Sequence, residues 1–262
     1  MSDIVKLSRS NGVFEIIFDR PPVNAIDAPT SRRLGQVFDE YRRDDGLKCA
    51  IVTAPGDRIF SAGWDLKAAA QQGENEDAEW GVGGFAGITQ MFDLYKPVIA
   101  AVNGRAIGGG FEIALGCDII IAAETADFSL PEAARGVTAD AGGLQVLPRR
   151  VPMNIAMELL LTGRRMGAAE AHKWGLVNQV VPLAKLMDTA RELARQIAEG
   201  APLSIQATKE VVRGIEGVPL PETYRMIKER RFPVHAKMLT SEDHLEGPRA
   251  FAEKRKPVWK GR

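Results

Sequence analysis

Apolar and polar residues alternate from Asp3 to Arg9 and again from Val13 to Asp19, with Ser10-Asn11-Gly12 between the two runs. Asn-Gly suits a tight turn whose twist matches paired strands, so the chain is expected to open with an antiparallel hairpin. Leu34, Val37, Phe38 and Tyr41 then recur at helical spacing within Ser31 to Arg43, and Lys48 to Ala54 reads as a buried strand. Residues 55–96 hold no sustained period. They predict a long irregular segment with one or two short helices, rich in Gly, Ala and acidic residues from Gln71 to Gly84, of a length that lines a site or moves. Pro97 to Val102 reads as a strand, Gly109 to Leu115 as a short helix, and Asp118 to Ala123 and Asp127 to Leu130 as further strands. A strand–strand–helix rhythm is therefore repeating. After Pro131 the pattern turns helical, over Asn154 to Leu161, Ala168 to Trp174, Pro182 to Glu199, Leu203 to Val212 and Glu222 to Met238. No linker-like tract separates the halves, so the helical part is expected to pack on the first as a subdomain.

Composition narrows the function classes. With 262 residues, 45% of them hydrophobic, the chain can bury one sizeable core. Lys plus Arg and Asp plus Glu both number 34, so no net field favours nucleic acid or an acidic membrane surface. There is no apolar run of about 18 residues and no signal-like pattern at Met1 to Lys6, which points to a cytoplasmic protein. Cys49 and Cys117 sit in apolar stretches and read as buried free thiols. His172, His235 and His244 lack the paired spacing of a metal site, so no metal is expected.

The candidate chemistry lies in Ile107-Gly108-Gly109-Gly110-Phe111-Glu112 and, twenty residues after Glu112, Leu130-Pro131-Glu132. If the glycines end a strand and open a helix, their N–H groups face a cavity where a developing oxyanion can sit. Glu112 would share that helix face with the Gly109 N–H, and Glu132 would occupy the first turn of the next helix after Pro131. Macrodipole-favoured glutamates and close strand–helix packing are the plainer explanations of the same residues. A dinucleotide loop fails because Ile113 stands where the last Gly of Gly-x-Gly-x-x-Gly belongs, and Ser61 lacks the context of a nucleophile. A second turn, Ser61-Ala62-Gly63-Trp64-Asp65-Leu66, supplies Trp64 N–H as the partner donor of an oxyanion hole.

At this point the residues resemble a known family across nearly the whole chain. Phe60 to Leu66, Lys96 to Gly104, Gly108 to Glu112, Leu130-Pro131-Glu132 and Ala141-Gly142-Gly143 stand in the order and spacing of the crotonase (enoyl-CoA hydratase/isomerase) superfamily. The resemblance implies an α/β fold, a spiral of repeated ββα units over 1–195 that carries the CoA and active site. It also implies a helical trimerisation region over 196–262, giving a homotrimer or dimer of trimers. Acyl-CoA would be the substrate, with no cofactor beyond the CoA it carries. The thioester oxygen would rest on the N–H groups of Trp64 and Gly109, with adenine near Ala62, Gly63, Asp65 and Leu66. Glu112 and Glu132 would be the catalytic acid/base pair, Glu112 handling the water and Glu132 the C2 proton.

Within the family, Trp64 to Ala70, Gly83 to Gly87, Thr162 to Ala168 and the C-terminal Phe251 to Arg262 resemble the carnitinyl-CoA dehydratase branch. That branch implies hydration of crotonobetainyl-CoA and its reverse; a general short-chain enoyl-CoA hydratase or isomerase is the alternative, and the paired glutamates disfavour a non-catalytic acyl-CoA binder. Trp64, Trp80, Phe85 and Asp140 are candidates for contact with a quaternary ammonium tail, or else core and turn residues; because isomerases of the family can use an acid at the place of Asp140, the resemblance also leaves it open as a third acid/base group. Lys254, Arg255, Lys256, Lys260 and Arg262 either meet CoA phosphates or form a solvated basic tail.

Overall fold

The computed structural model describes residues 4–73 and 78–262, so the expected strand start at Asp3 and the part of the acidic tract at 74–77 lie outside the described residues. β1 (Val5–Ser10) and β2 (Val13–Phe18) form the hairpin, in register from Val5 opposite Phe18 to Ser10 opposite Val13. Asn11 (φ 50°) and Gly12 (φ 79°) make the two-residue turn. After β3 (Ala25–Ile26), α1 (Ala28–Arg43) begins three residues before the apolar spacing predicted. The cause is Asp27, whose carboxylate accepts from Thr30 N–H at 2.9 Å, a cap worth about 1 kcal/mol.

Three passes of the chain follow. β4 (Cys49–Thr53), β5 (Ile59–Ser61), β6 (Gly63–Trp64) and α2 (Leu66–Gln72) make the first; β7 (Val98–Val102), β8 (Arg105–Ile107) and α3 (Gly109–Gly116) make the second. The third comprises β9 (Ile119–Ala123), β10 (Asp127–Ser129), a 3₁₀ turn at Glu132–Arg135, α4 (Gly143–Arg150) and α5 (Met153–Thr162). β11 (Met166–Gly167), α6 (Ala168–Lys173), β12 (Gln179–Val181) and α7 (Leu186–Ala198) close the core. Each pass lays its first strand in a six-stranded sheet of order β1-β2-β4-β7-β9-β12 and its second in a four-stranded sheet of order β11-β10-β8-β5. From β2 onward the large sheet is parallel.

Every residue of β4 and β7 is buried, as the unbroken apolar runs foretold, because both faces of this sheet are covered. On one face α7 packs Leu186, Ala190, Ala194 and Ala198 down, the small alanines letting the helix approach the strands. The short α3 has no polar face: Gly109 to Leu115 are all buried, and the Phe111 ring packs, tilted by 51°, with its centroid 5.1 Å from that of Phe128 on β10. Burying a side chain of that size stabilises the fold by about 1.5–3 kcal/mol and holds the helix that carries Glu112.

The C-terminal part consists of α8 (Pro202–Gly214), α9 (Leu220–Lys228), α10 (Pro233–Leu239) and α11 (Glu242–Ala252). The single helix expected over Glu222 to Met238 is thus two, broken where Arg230 takes φ 57° and where Pro233 starts a new helix. The Glu210 carboxylate accepts the N–H groups of Val234 (3.1 Å) and His235 (2.9 Å), satisfying the donors that the break exposes. Lys209 ties α8 to the core, donating to Asp118 at 2.6 Å and to the Lys96 carbonyl at 2.9 Å; burial pulls its ammonium down to about 8. In the tail, Arg255 pairs with Glu246 and Glu253, while Lys260 and Arg262 pair with Glu242. Those three cations therefore already have carboxylate partners within the chain.

Both cysteines are free and buried, with their thiols pushed up to about 12, chiefly by desolvation. Among the described residues no helix is long and apolar enough to cross a membrane, and no cluster of His, Cys, Asp and Glu is suited to a metal ion.

Candidate active site

The glycines end β8 and open α3 as the spacing required. Gly108 adopts φ 54°, ψ −125°, outside the range comfortable for L side chains, and Gly109 is the first helical residue, so its N–H has no carbonyl within the helix to meet. β6 lies directly against this turn. A Cβ on Gly63 would sit 2.5 Å from the Gly109 nitrogen, and a Cβ on Gly109 would sit 2.4 Å from the Phe85 ring. Only with glycine at both places can the two backbones close together and put Trp64 and Gly109 on one cavity wall.

That cavity, a narrow chamber of about 70 Å³, is lined by Trp64, Trp80, Phe85, Gly109, Glu112, Glu132, Val137, Thr138, Asp140 and Ala141. All seven of the residues expected there from sequence are brought together. Trp64 also borders an open groove of about 410 Å³ lined by Ala62, Asp65, Leu66, Lys67, Arg20 and Pro22, among others. The chamber and the groove thus share Trp64 as a common wall. Asp65 has a structural commitment as well: it caps α2 through Ala68 N–H (3.1 Å) and accepts from Arg20 at 2.9 Å. Burial works to raise its pKa, but the Ala68 N–H and the Arg20 guanidinium outweigh it and hold the carboxylate below its usual range.

Glu112, only 4% exposed, accepts from Gly143 N–H at 2.9 Å on Oε1. Desolvation pushes its pKa up to about 8; the Gly143 and Ala141 amides oppose this, while Glu132 and Asp140 add to it. Glu132 opens the helix after Pro131 as expected, a short 3₁₀ helix that ends where the chain reverses at Gly136, φ 76°. Its pKa is also raised, first by desolvation, with Asp140 adding and Arg135 opposing. Glu132 Oε2 is buried without a hydrogen-bond partner, an arrangement that costs about 1–3 kcal/mol. The sequence reading missed the role of the Gly143 amide. Its signal was available in Ala141-Gly142-Gly143 ahead of the helical run of α4, a helix N-terminus aimed at a carboxylate.

The raised pKa of Glu112 carries a stability consequence. An unfolded Glu loses its proton near 4.5 whereas the folded one holds it to about 8, so stability falls as pH rises through that window and is level beyond it. Glu112→Gln, neutral at every pH, escapes this loss. Thermal melts across pH 4.5 to 8.5 should show the variant gaining on wild type by several degrees as pH rises; a difference constant with pH would contradict the buried-acid assignment.

The chain is 54% identical over 262 residues to carnitinyl-CoA dehydratases of Shigella flexneri and Escherichia coli K12, and 53% to that of Proteus mirabilis, covering 100% of both chains each time. The crystal structure of an enoyl-CoA hydratase from Mycobacterium tuberculosis H37Rv superposes with a TM-score of 0.89 at 39% identity, over 99% of each chain. An enoyl-CoA hydratase from Bacillus anthracis gives 0.88 at 33% identity, over 99% of this chain and 100% of that one. Residues 8–262 match the enoyl-CoA hydratase/isomerase family, and with its crotonase fold and its full-length relatives the chain belongs to that family.

Proposed function

We propose that this chain is a hydro-lyase interconverting crotonobetainyl-CoA plus water with carnitinyl-CoA, with Glu112 and Glu132 as its acid/base pair. The observation that carries the reading is two carboxyl groups of raised pKa lining one chamber beside the Gly109 amide. Full-length identity of 54% to carnitinyl-CoA dehydratases supports the choice of acyl group.

In hydration, Glu112 takes a proton from water as its oxygen bonds to C3, electrons move onto the thioester oxygen held by Trp64 and Gly109 N–H, and Glu132 delivers a proton to C2. Each oxyanion donor contributes on the order of 3 kcal/mol. One proton has then moved from Glu132 to Glu112 by way of the substrate. Dehydration runs the reverse: ionised Glu132 removes the C2 proton and protonated Glu112 gives its proton to the departing hydroxyl. Glu112 is the more deeply buried of the two, and burial favours its protonated form, the form that dehydration needs. The step requires no cofactor beyond the CoA of the substrate, since the backbone amides serve as the electrophile.

The CoA arm would follow the outer groove past Ala62 to Leu66. An adjoining depression shares Pro22 and Val23 with it and carries Arg58 and Arg105, cations suited to phosphates. We assign residues 1–195 to the catalytic spiral and 196–262 to subunit association as a trimer or a dimer of trimers; exposed Val212, Leu220, Tyr224 and Phe251 on the C-terminal helices support that assignment. A cytosolic location fits the two unpaired thiols.

The test is loss of the enoyl-thioester absorbance on adding enzyme to crotonobetainyl-CoA and, in parallel, crotonyl-CoA. A kcat/KM at least tenfold higher for the betaine is expected. Preference for crotonyl-CoA would make the protein a general enoyl-CoA hydratase, the activity named for the solved relatives, and no reaction with either would sink the hydro-lyase reading.

A further inference from the structure

The chamber combines an aromatic corner with three carboxyl groups. The Trp64 and Trp80 rings meet at 85° with centroids 6.3 Å apart, and Trp80 and Phe85 at 69° and 5.1 Å. Rings set near right angles form a corner, which suits a tetrahedral methylated cation better than a flat acyl chain. The corner is built to stay in place. Ser31 Oγ donates to the carbonyl of Trp80 at 2.8 Å and accepts from Ala86 N–H at 2.9 Å, tying the segment to α1. Gly87 lies so close to α1 that a Cβ there would come within 2.3 Å of Gly35. A wall held this way needs little reordering when a ligand arrives.

Asp140 is the third acid. Exposed, it nevertheless lines the chamber and raises the pKa of both Glu112 and Glu132. Neither proton transfer uses it, and a neutral acyl tail gains nothing from its charge. In a betaine acyl group the quaternary nitrogen sits on C4, next to the carbon that takes up water, so the chamber that holds the reacting atoms must hold the cation too.

We propose that Trp80 and Asp140 are the specificity-determining residues of this site, Trp80 offering its ring to a quaternary ammonium group on C4 and Asp140 supplying the opposing charge. The inference rests on the hydro-lyase reading and names what selects its acyl group. The charged groups that border the site are Glu112 on α3, Glu132 and Arg135 on the 3₁₀ turn, and Asp140 in the loop before α4; Asp65, beyond Trp64, is paired with Arg20.

The experiment compares crotonobetainyl-CoA with its neutral isostere, in which a carbon replaces the quaternary nitrogen, for wild type, Trp80→Leu, Trp80→Phe and Asp140→Asn. The probes have the same shape and differ in charge alone. The ratio of kcat/KM, betaine over isostere, is expected to fall about 5- to 30-fold in Trp80→Leu and in Asp140→Asn, mainly through KM, and to be largely kept in Trp80→Phe. A permanent cation favours ionised carboxylates, so the titration seen in kcat should lie at lower pH with the betaine than with the isostere. Unchanged ratios in both Trp80→Leu and Asp140→Asn would overturn the proposal, as would a wild type that treats the two probes alike while still hydrating them. Hydration of neither probe nor crotonyl-CoA would instead mark failure of the hydro-lyase reading itself. Asp140 is at the surface, so its variant remains informative even if Trp80→Leu does not fold.

Discussion

Glu112→Gln and Glu132→Gln each lower kcat for hydration by about a thousandfold or more while the protein remains folded. The amide keeps the shape of the carboxyl group, and at position 112 its carbonyl oxygen can still accept from Gly143 N–H, so the local frame survives. What is lost is the exchangeable proton. The cycle needs one proton carried between two groups of different depth, and a single amide breaks the relay in both directions. The double variant should be scarcely worse than either single one, because the pair acts as a unit. Steady-state rates with circular dichroism on the same samples decide it, and near wild-type turnover by either variant would sink the two-carboxylate mechanism.

Gly108→Ala should cost about a hundredfold in kcat with a much smaller loss of stability. A Cβ on Gly108 would fall 2.6 Å from Glu132 Oε1, so the methyl group displaces the carboxyl from its place. A misplacement of about 1 Å at a reacting group is enough for an effect of that size. The obstructing atom is the end of a flexible side chain, so the fold can yield there, and the remaining penalty is the positive φ of 54°, about 1–3 kcal/mol. Gly110→Ala makes the contrast, since its Cβ would lie 2.2 Å from the Ser61 backbone carbonyl and the strand cannot give way. Adding Gly108→Ala to Glu132→Gln should bring almost no further loss of activity. A full hundredfold loss in that background would mean that the alanine acts through the oxyanion turn and not through Glu132.

Much of this was legible in the chain. The buried strands β4 and β7, the hairpin at Asn11-Gly12, the helix opening at Gly109 and the pairing of Glu112 with Glu132 all announce themselves through local pattern. Among the elements that escaped notice, β3, β5, β6, β8, β11 and β12 each have two or three residues, too few for a period to declare itself, while α4 and α11 carry an internal proline, Pro148 and Pro248, that argues against a helix. The C-terminal break escaped for another reason. Glu222 to Met238 keeps helical composition throughout, and what stops the helix is the backbone turn at Arg230 followed by the cap that Glu210 supplies from α8.

Spacing and residue types with few alternatives were enough to pick out the buried strands, the two acids and the glycines that leave room for them. How the acids differ emerges from the packing. Glu112 is sealed under the Gly143 amide while Glu132 hangs from a 3₁₀ turn with one oxygen unsatisfied, and desolvation is a property of everything packed around a group. The same holds for Trp64, Trp80 and Phe85, which are scattered aromatics along the chain and become one corner only when β6 and the segment 80–85 meet near Gly109.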